Sequence, residues 1–137
     1  AQLLGHDHGH DRLGPGADLR RELESLLSHR GETAGFVLQG MGSLSVANIR
    51  FAGRPEPELL KRDFEILTLA GSLALDGAHL HMTIADAAGN VLGGHVARGC
   101  LVRTTAELLV AFLPGVRFTR EQDAITGYAE LGIHRLP

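Results

Sequence analysis

The 137-residue chain has little of what several function classes require. It holds one cysteine, which excludes an intramolecular disulfide and any thiolate-rich zinc site. Cys100 lies in the apolar stretch Gly99-Cys100-Leu101-Val102, the setting of a buried structural thiol rather than a nucleophile. No run of about 18 apolar residues occurs, so no membrane-spanning helix is expected. No basic segment followed by an apolar core opens the sequence, which sets aside a signal peptide and makes the cytoplasm the expected compartment. Charge of one sign is scarce too. Thirteen Lys+Arg against 16 Asp+Glu give a net charge of −3, whereas a general electrostatic grip on nucleic acid needs a basic surface.

What is present reads as one ordinary globular domain, with 44% apolar and 21% charged residues. Two counts are high: 18 glycines and 8 histidines. The glycines predict many tight turns and hence many short strands. Residues 1–11 are Gly/His-rich and non-periodic, and are expected to form a flexible arm ahead of a domain spanning 12–137. Gly14-Pro15-Gly16 turns the chain, and Asp18 can cap a helix whose Leu19, Leu23, Leu26 and Leu27 share one face. Gly31 ends it, after His29 and Arg30 at the negative end of the helix dipole.

Beyond Gly31 the period changes to two or to short apolar runs. Strands are expected over 34–39, 43–51, 64–75, 78–85, 91–96 and 126–135, with a break or bulge at Gly40-Met41-Gly42. Residues 101–113 read either as strand or as strand with a helical piece. One main N-terminal helix and about seven strands predict a single α+β domain with a mostly antiparallel sheet.

The histidines fall into three groups. His6, His8 and His10 alternate in the arm, where a solvated tail is the simpler reading than a metal site. His29 and His134 are isolated and read as surface or cap residues. His79, His81 and His95 fall in one predicted hairpin. Residues two apart on a strand share a face, so His79 and His81 project together. With a three-residue loop Ala87-Ala88-Gly89 and Gly89 left-handed, Asp86 faces Asn90 and His81 lies opposite His95. A two- or four-residue loop turns His95 to the other face unless Gly93-Gly94 bulges. In the first register three neutral imidazoles can hold Zn²⁺ or another divalent transition metal, leaving a position open to water or a small-molecule anion. The plainer alternative is that they cover polar strand faces.

Several separated motifs resemble the plant and prokaryote conserved (PPC) domain. They are Arg12-Leu-Gly-Pro-Gly-Ala-Asp-Leu19, Gly40-Met-Gly-Ser-Leu44, Arg62-Asp-Phe-Glu-Ile-Leu67 and Leu69-Ala-Gly-Ser72. Asp76-Gly-Ala-His-Leu-His-Met82, Gly89-Asn-Val-Leu-Gly-Gly-His95 and Thr104-Thr-Ala-Glu107 follow in the same order. The resemblance runs from residue 12 to about 136, and the histidines liken the chain to the stand-alone prokaryotic form. It implies a curved antiparallel sheet, a homotrimer, and the DNA-binding label the family carries because plant members have AT-hooks. No Arg-Gly-Arg-Pro core occurs here, since Gly53-Arg54-Pro55 lacks the leading arginine.

The histidine pattern also resembles that of acetolactate decarboxylase, where a His-x-His pair and a later histidine hold zinc. Carried over by motif, His79, His81 and His95 are the ligands, Glu107 a base or outer-shell partner, and Arg12 or Arg50 an anion clamp. For Glu107 the plain reading is a polar residue on a sheet face; for Arg50 it is an ion pair between subunits. Two functions follow as expectations: a trimeric binding or regulatory protein with a metal site, and a zinc-dependent hydrolase or decarboxylase acting on a small carboxylate or ester.

Overall fold

In a computed structural model, residues 12–137 are described in full, and Gln2–Leu3 and His6–Asp11 as backbone. The helix follows from its caps and its stripe. Asp18 accepts a hydrogen bond from the Arg21 amide at 3.2 Å, and Gly31 closes the helix in the left-handed region at φ 66°. Between them α1 (Leu19–Arg30) buries Leu19, Leu23 and Leu27 against the sheet.

Among the described residues nine strands accompany it: β1 (Gln2–Leu3), β2 (His6–Leu13), β3 (Gly35–Arg50), β4 (Glu58–Ala74), β5 (Gly77–Asp86), β6 (Val91–Val96), β7 (Leu101–Phe112), β8 (Val116–Gln122) and β9 (Ala129–Arg135). The main sheet runs β1-β2-β7-β3-β4-β5-β6, entirely antiparallel, and β6 also pairs with β3. That last pairing curls β3 to β6 into a closed loop of strands. The fold is therefore α+β, with one helix among the described residues, and β8–β9 form a separate two-stranded ribbon.

The structure decides between readings at three places. At Gly40–Gly42, where a break or bulge is expected, the chain is not divided: β3 is one strand, with bulge-like register shifts against β7 between Val37 and Gln39 and again after Gly42. The glycine is needed there because a Cβ on Gly42, at φ +151°, would collide with the Thr105 carbonyl. Residues 101–113 contain no helical piece, since their buried positions alternate Val102, Ala106, Leu108, Val110, Phe112 with period two. The backbone from His6 onward, expected to belong to an arm, runs as β2 beside β7, pairing His8 with Ala111 through Leu13 with Ala106. Residues 1, 4 and 5 and the side chains of 1–11, including those of His6, His8 and His10, lie outside the described residues.

The core lies between α1 and the concave sheet. Leu44, Ile49, Leu69, Leu73, Leu80, Ile84 and Val96 are at most 1% exposed. Cys100 belongs to this core, its sulfur accepting from the Asn48 amide at 3.2 Å. Burial pushes its thiol up to about 11, so it is inert near neutral pH.

Candidate metal centre

β5 alternates cleanly. Ala78, Leu80, Met82 and Ile84 enter the core, while His79 and His81 face outward. The turn to β6 has the three-residue form: the Asp86 amide donates to the Asn90 carbonyl at 3.0 Å, the Gly89 amide donates to the Asp86 carbonyl at 2.9 Å, and Gly89 is left-handed at φ 81°. The Asp86 carboxylate accepts from the Ala88 and Asn90 amides at 3.0 and 2.9 Å and locks that loop. His81 consequently stands opposite His95.

Gly93 and Gly94 then let β6 enter between β5 and β3. A Cβ on Gly93 would lie 2.7 Å from the Met82 carbonyl oxygen, and one on Gly94 2.6 Å from that of Arg50. Gly71, at φ +154°, plays the same part beneath the site, since a Cβ there would strike the His79 carbonyl. Glycine at these positions brings three backbones close enough to gather three side chains.

The result is a compact set of imidazoles. Ring centroids are 4.8 Å apart for His79 and His81, 4.6 Å for His81 and His95, and 5.5 Å for His79 and His95. One nitrogen from each can be chosen so that all lie within 4.8 Å of one another. His79 and His95 are half-buried and His81 is exposed. Burial holds the His79 ring below its ordinary 6.5, with His81 and then Arg120 acting in the same sense. Burial followed by Arg50 does the same for His95. Both are therefore neutral near pH 7, the form that ligates a metal. Three imidazoles on one rigid hairpin can hold a divalent transition metal, and the exposed His81 side leaves an approach for another ligand.

Arg20 lies off the buried Leu19, Leu23 and Leu27 stripe of the helix. Its guanidinium donates to the Val96 carbonyl at 2.7 Å and to the Ala78 carbonyl at 2.8 Å. These are the residues next to His95 and His79, so α1 ties together the two strands that carry ligands. Glu24 holds Arg20 at 2.8 Å and Arg98 at 2.9 Å. The only trace of this in the sequence is the i,i+4 spacing of Arg20 and Glu24.

Of the other candidates, Arg50 lies opposite His95 across the β3–β6 pairing and lines the same hollows. Arg12 and Glu107 face each other on β2 and β7, and Glu107 also faces Met41. Neither lines the hollows around the histidines, because β7 joins β3 on the side away from β4 and β5. His134 is paired with Glu121 at 2.5 Å, and His29 sits in the last turn of α1. Arg120 on β8, Tyr128 in the connection after it and Glu130 on β9 line a hollow of about 400 Å³ with His79 and His95. No motif marked them in the sequence.

Fold and hairpin together define a small α+β domain carrying an outward-facing histidine cluster. Residues 11–114 match the profile of the Plants and Prokaryotes Conserved (PCC) domain, and the chain belongs to that family. A hypothetical protein from Salmonella enterica superposes with a TM-score of 0.90 at 37% identity, covering 94% of each chain. A protein from Archaeoglobus fulgidus, described as metal-containing, shares the fold with a TM-score of 0.79 at 24% identity, over 95% of this chain and 98% of that one. Further matched structures bear names that make them candidate DNA-binding proteins. The bifunctional protein GlmU of a Synechococcus strain is 52% identical over 122 residues, which are 89% of this chain and 19% of that protein. This chain thus spans about a fifth of the length of the curated relatives it matches. Among the described residues no helix is long and apolar enough to cross a membrane.

Proposed function

We propose that this chain is a homotrimeric, ligand-binding regulatory member of its family, in which His79, His81 and His95 hold one divalent metal ion, zinc. The observation that carries the reading is the convergence of three imidazoles from β5 and β6 within 4.8 Å. The metal-containing description of the Archaeoglobus fulgidus protein supports it. Trimer formation is supported by the family resemblance and by apolar side chains on the outer sheet face. Phe36, Leu38 and Leu67 are 37%, 49% and 47% exposed, and Phe36 and Leu38 border a hollow of about 450 Å³ with Ala111, Leu113 and Pro114. Elemental analysis of the untagged protein, with its native mass, tests both parts. One zinc per chain at three times 14.6 kDa is the expected result; a metal-free monomer refutes it.

The candidate DNA-binding names of some neighbours favour regulation through DNA, and the net charge of −3 opposes it. Binding to duplex DNA that falls steeply with salt would establish that role; no binding at low salt would leave the metal-site reading and remove DNA from it. A second reading, a zinc-dependent hydrolase or decarboxylase acting on a small carboxylate or ester, is favoured by the exposed side of His81. A bound zinc there supplies Lewis-acid polarisation or a water of lowered pKa. Turnover of any such substrate that survives His81→Ala would rule that reading out.

A further inference from the structure

The β8–β9 ribbon lies outside the segment that matches the family profile, which stops at residue 114, yet it builds one wall of the histidine site. It is anchored firmly. The Thr33 hydroxyl donates to the Val116 carbonyl at 2.6 Å, and the Phe118 amide donates to the Thr33 carbonyl at 3.0 Å. Phe118 is buried edge-on to Phe36, with ring centroids 5.8 Å apart. The Arg120 amide donates to the Asp76 carboxylate at 3.1 Å, in the turn that leads into β5 and His79. Arg120 therefore sits at a fixed place beside the cluster.

Arg120 and Arg50 flank the same hollow as His79 and His95. A guanidinium has five N–H donors. Arg120 gives one to the Ala129 carbonyl and Arg50 one to the Arg54 carbonyl. Among the described residues neither has a carboxylate within ion-pair distance. Among the described residues Glu130 is the one carboxylate lining the hollow, and it accepts from the Thr126 hydroxyl at 3.0 Å. Two guanidiniums and one carboxylate leave a net positive hollow, which a divalent ion on the histidines makes more positive still. At about 400 Å³ it has the size of a small-molecule site.

We propose that Arg120, presented by the β8–β9 ribbon, is the specificity residue of the metal centre, and that with Arg50 it clamps a small dianion, a dicarboxylate or a phosphate. The inference rests on the metal-centre reading but has its own test. Calorimetric titration of zinc-loaded full-length protein uses three probes: succinate, inorganic phosphate and the uncharged succinamide. Binding of succinate or phosphate but not succinamide is expected, and the stronger of the two identifies the type of dianion. Arg120→Gln is expected to weaken it about tenfold to hundredfold, the worth of a charge-assisted hydrogen bond. Zinc content and melting temperature should stay unchanged, and Arg120→Lys should restore part of the affinity. Binding that is equal in wild type and Arg120→Gln, or absent from zinc-loaded wild type, overturns the clamp. A wild-type protein that takes up no zinc refutes the metal reading instead. The clamp then stands if dianion binding still depends on Arg120, and falls if it does not.

Discussion

Replacing Gly94 by alanine probes the step in which the fold makes the site. The new Cβ would sit 2.6 Å from the Arg50 carbonyl oxygen and 2.8 Å from Ile49 Cγ2. Ile49 is fully buried, and backbone oxygen has no rotamer to escape into. Relief requires β6 to move away from β3, disturbing the pairings Ile49–Val96 and Arg50–His95. Overpacking of this kind costs about 1–3 kcal/mol, and each weakened backbone hydrogen bond adds about 0.5–1.5 kcal/mol. A total of about 2–4 kcal/mol lowers the melting temperature by roughly 5–15 °C in a domain of this size. His95 moves with its strand, so zinc affinity should fall about 10–100-fold, as when a ligand loses its orienting neighbours. Differential scanning calorimetry and competitive zinc titration measure the two effects on the same samples. Gly14→Ala is the control, because nothing lies within 4 Å of a Cβ there. Wild-type melting in Gly94→Ala would refute the close approach. Lowered melting with wild-type zinc affinity would refute the claim that this approach positions His95.

Other perturbations separate stability from the site. His81 is exposed, so His81→Ala should leave the metal-free melting temperature within the small range of surface changes. Its zinc affinity should fall by more than the ~10–100-fold that loss of an outer partner costs; equal affinity in a zinc titration would remove His81 from the ligand set. Cys100, with its thiol pushed up to about 11 by burial, should be silent to a thiol-reactive dye at pH 8 in the native protein and react once per chain in guanidinium. The hydrogen bond from Arg98, and then the contacts from Arg20, hold the Glu24 carboxyl below its ordinary 4.5 against the opposing effect of burial. A carboxylate lowered in the folded state stabilises above its unfolded value and loses that contribution as pH falls through its folded one. Glu24→Gln should therefore lower the melting temperature at pH 7, and the gap to wild type should close below about pH 4.5; a gap constant with pH would contradict the pairing.

How much of this was legible in the sequence depended on the range of each interaction. The α1 boundaries were readable because capping is local: Asp18 and Gly31 act on amides and carbonyls within their own turn. The β5–β6 register was readable for the same reason, since Gly89 admits a left-handed residue and the turn length fixes which residues face one another. The merging of two expected strands into β3 was not, because Gly40-Met41-Gly42 looks like a break along the chain. The glycine there answers to a neighbour, Thr105, more than sixty positions away.

The limit is sharpest around the histidines themselves. A periodicity argument places Arg20 on the outside of its helix, and that is correct until another element covers it. Its partners, the Ala78 and Val96 carbonyls, become available only when β5 and β6 pass beneath α1. Arg120 is a harder case still, since its ribbon pairs only with itself and reaches the site through Thr33, Phe36 and Asp76. Local turn chemistry can thus align three imidazoles in one hairpin. The charges that surround them come from a helix, from the closing strand β3 and from a C-terminal ribbon, so tertiary contact alone determines what that cluster meets. Closure of β6 onto β3 joins the two levels, because the same pairing that completes the strand loop sets Arg50 against His95.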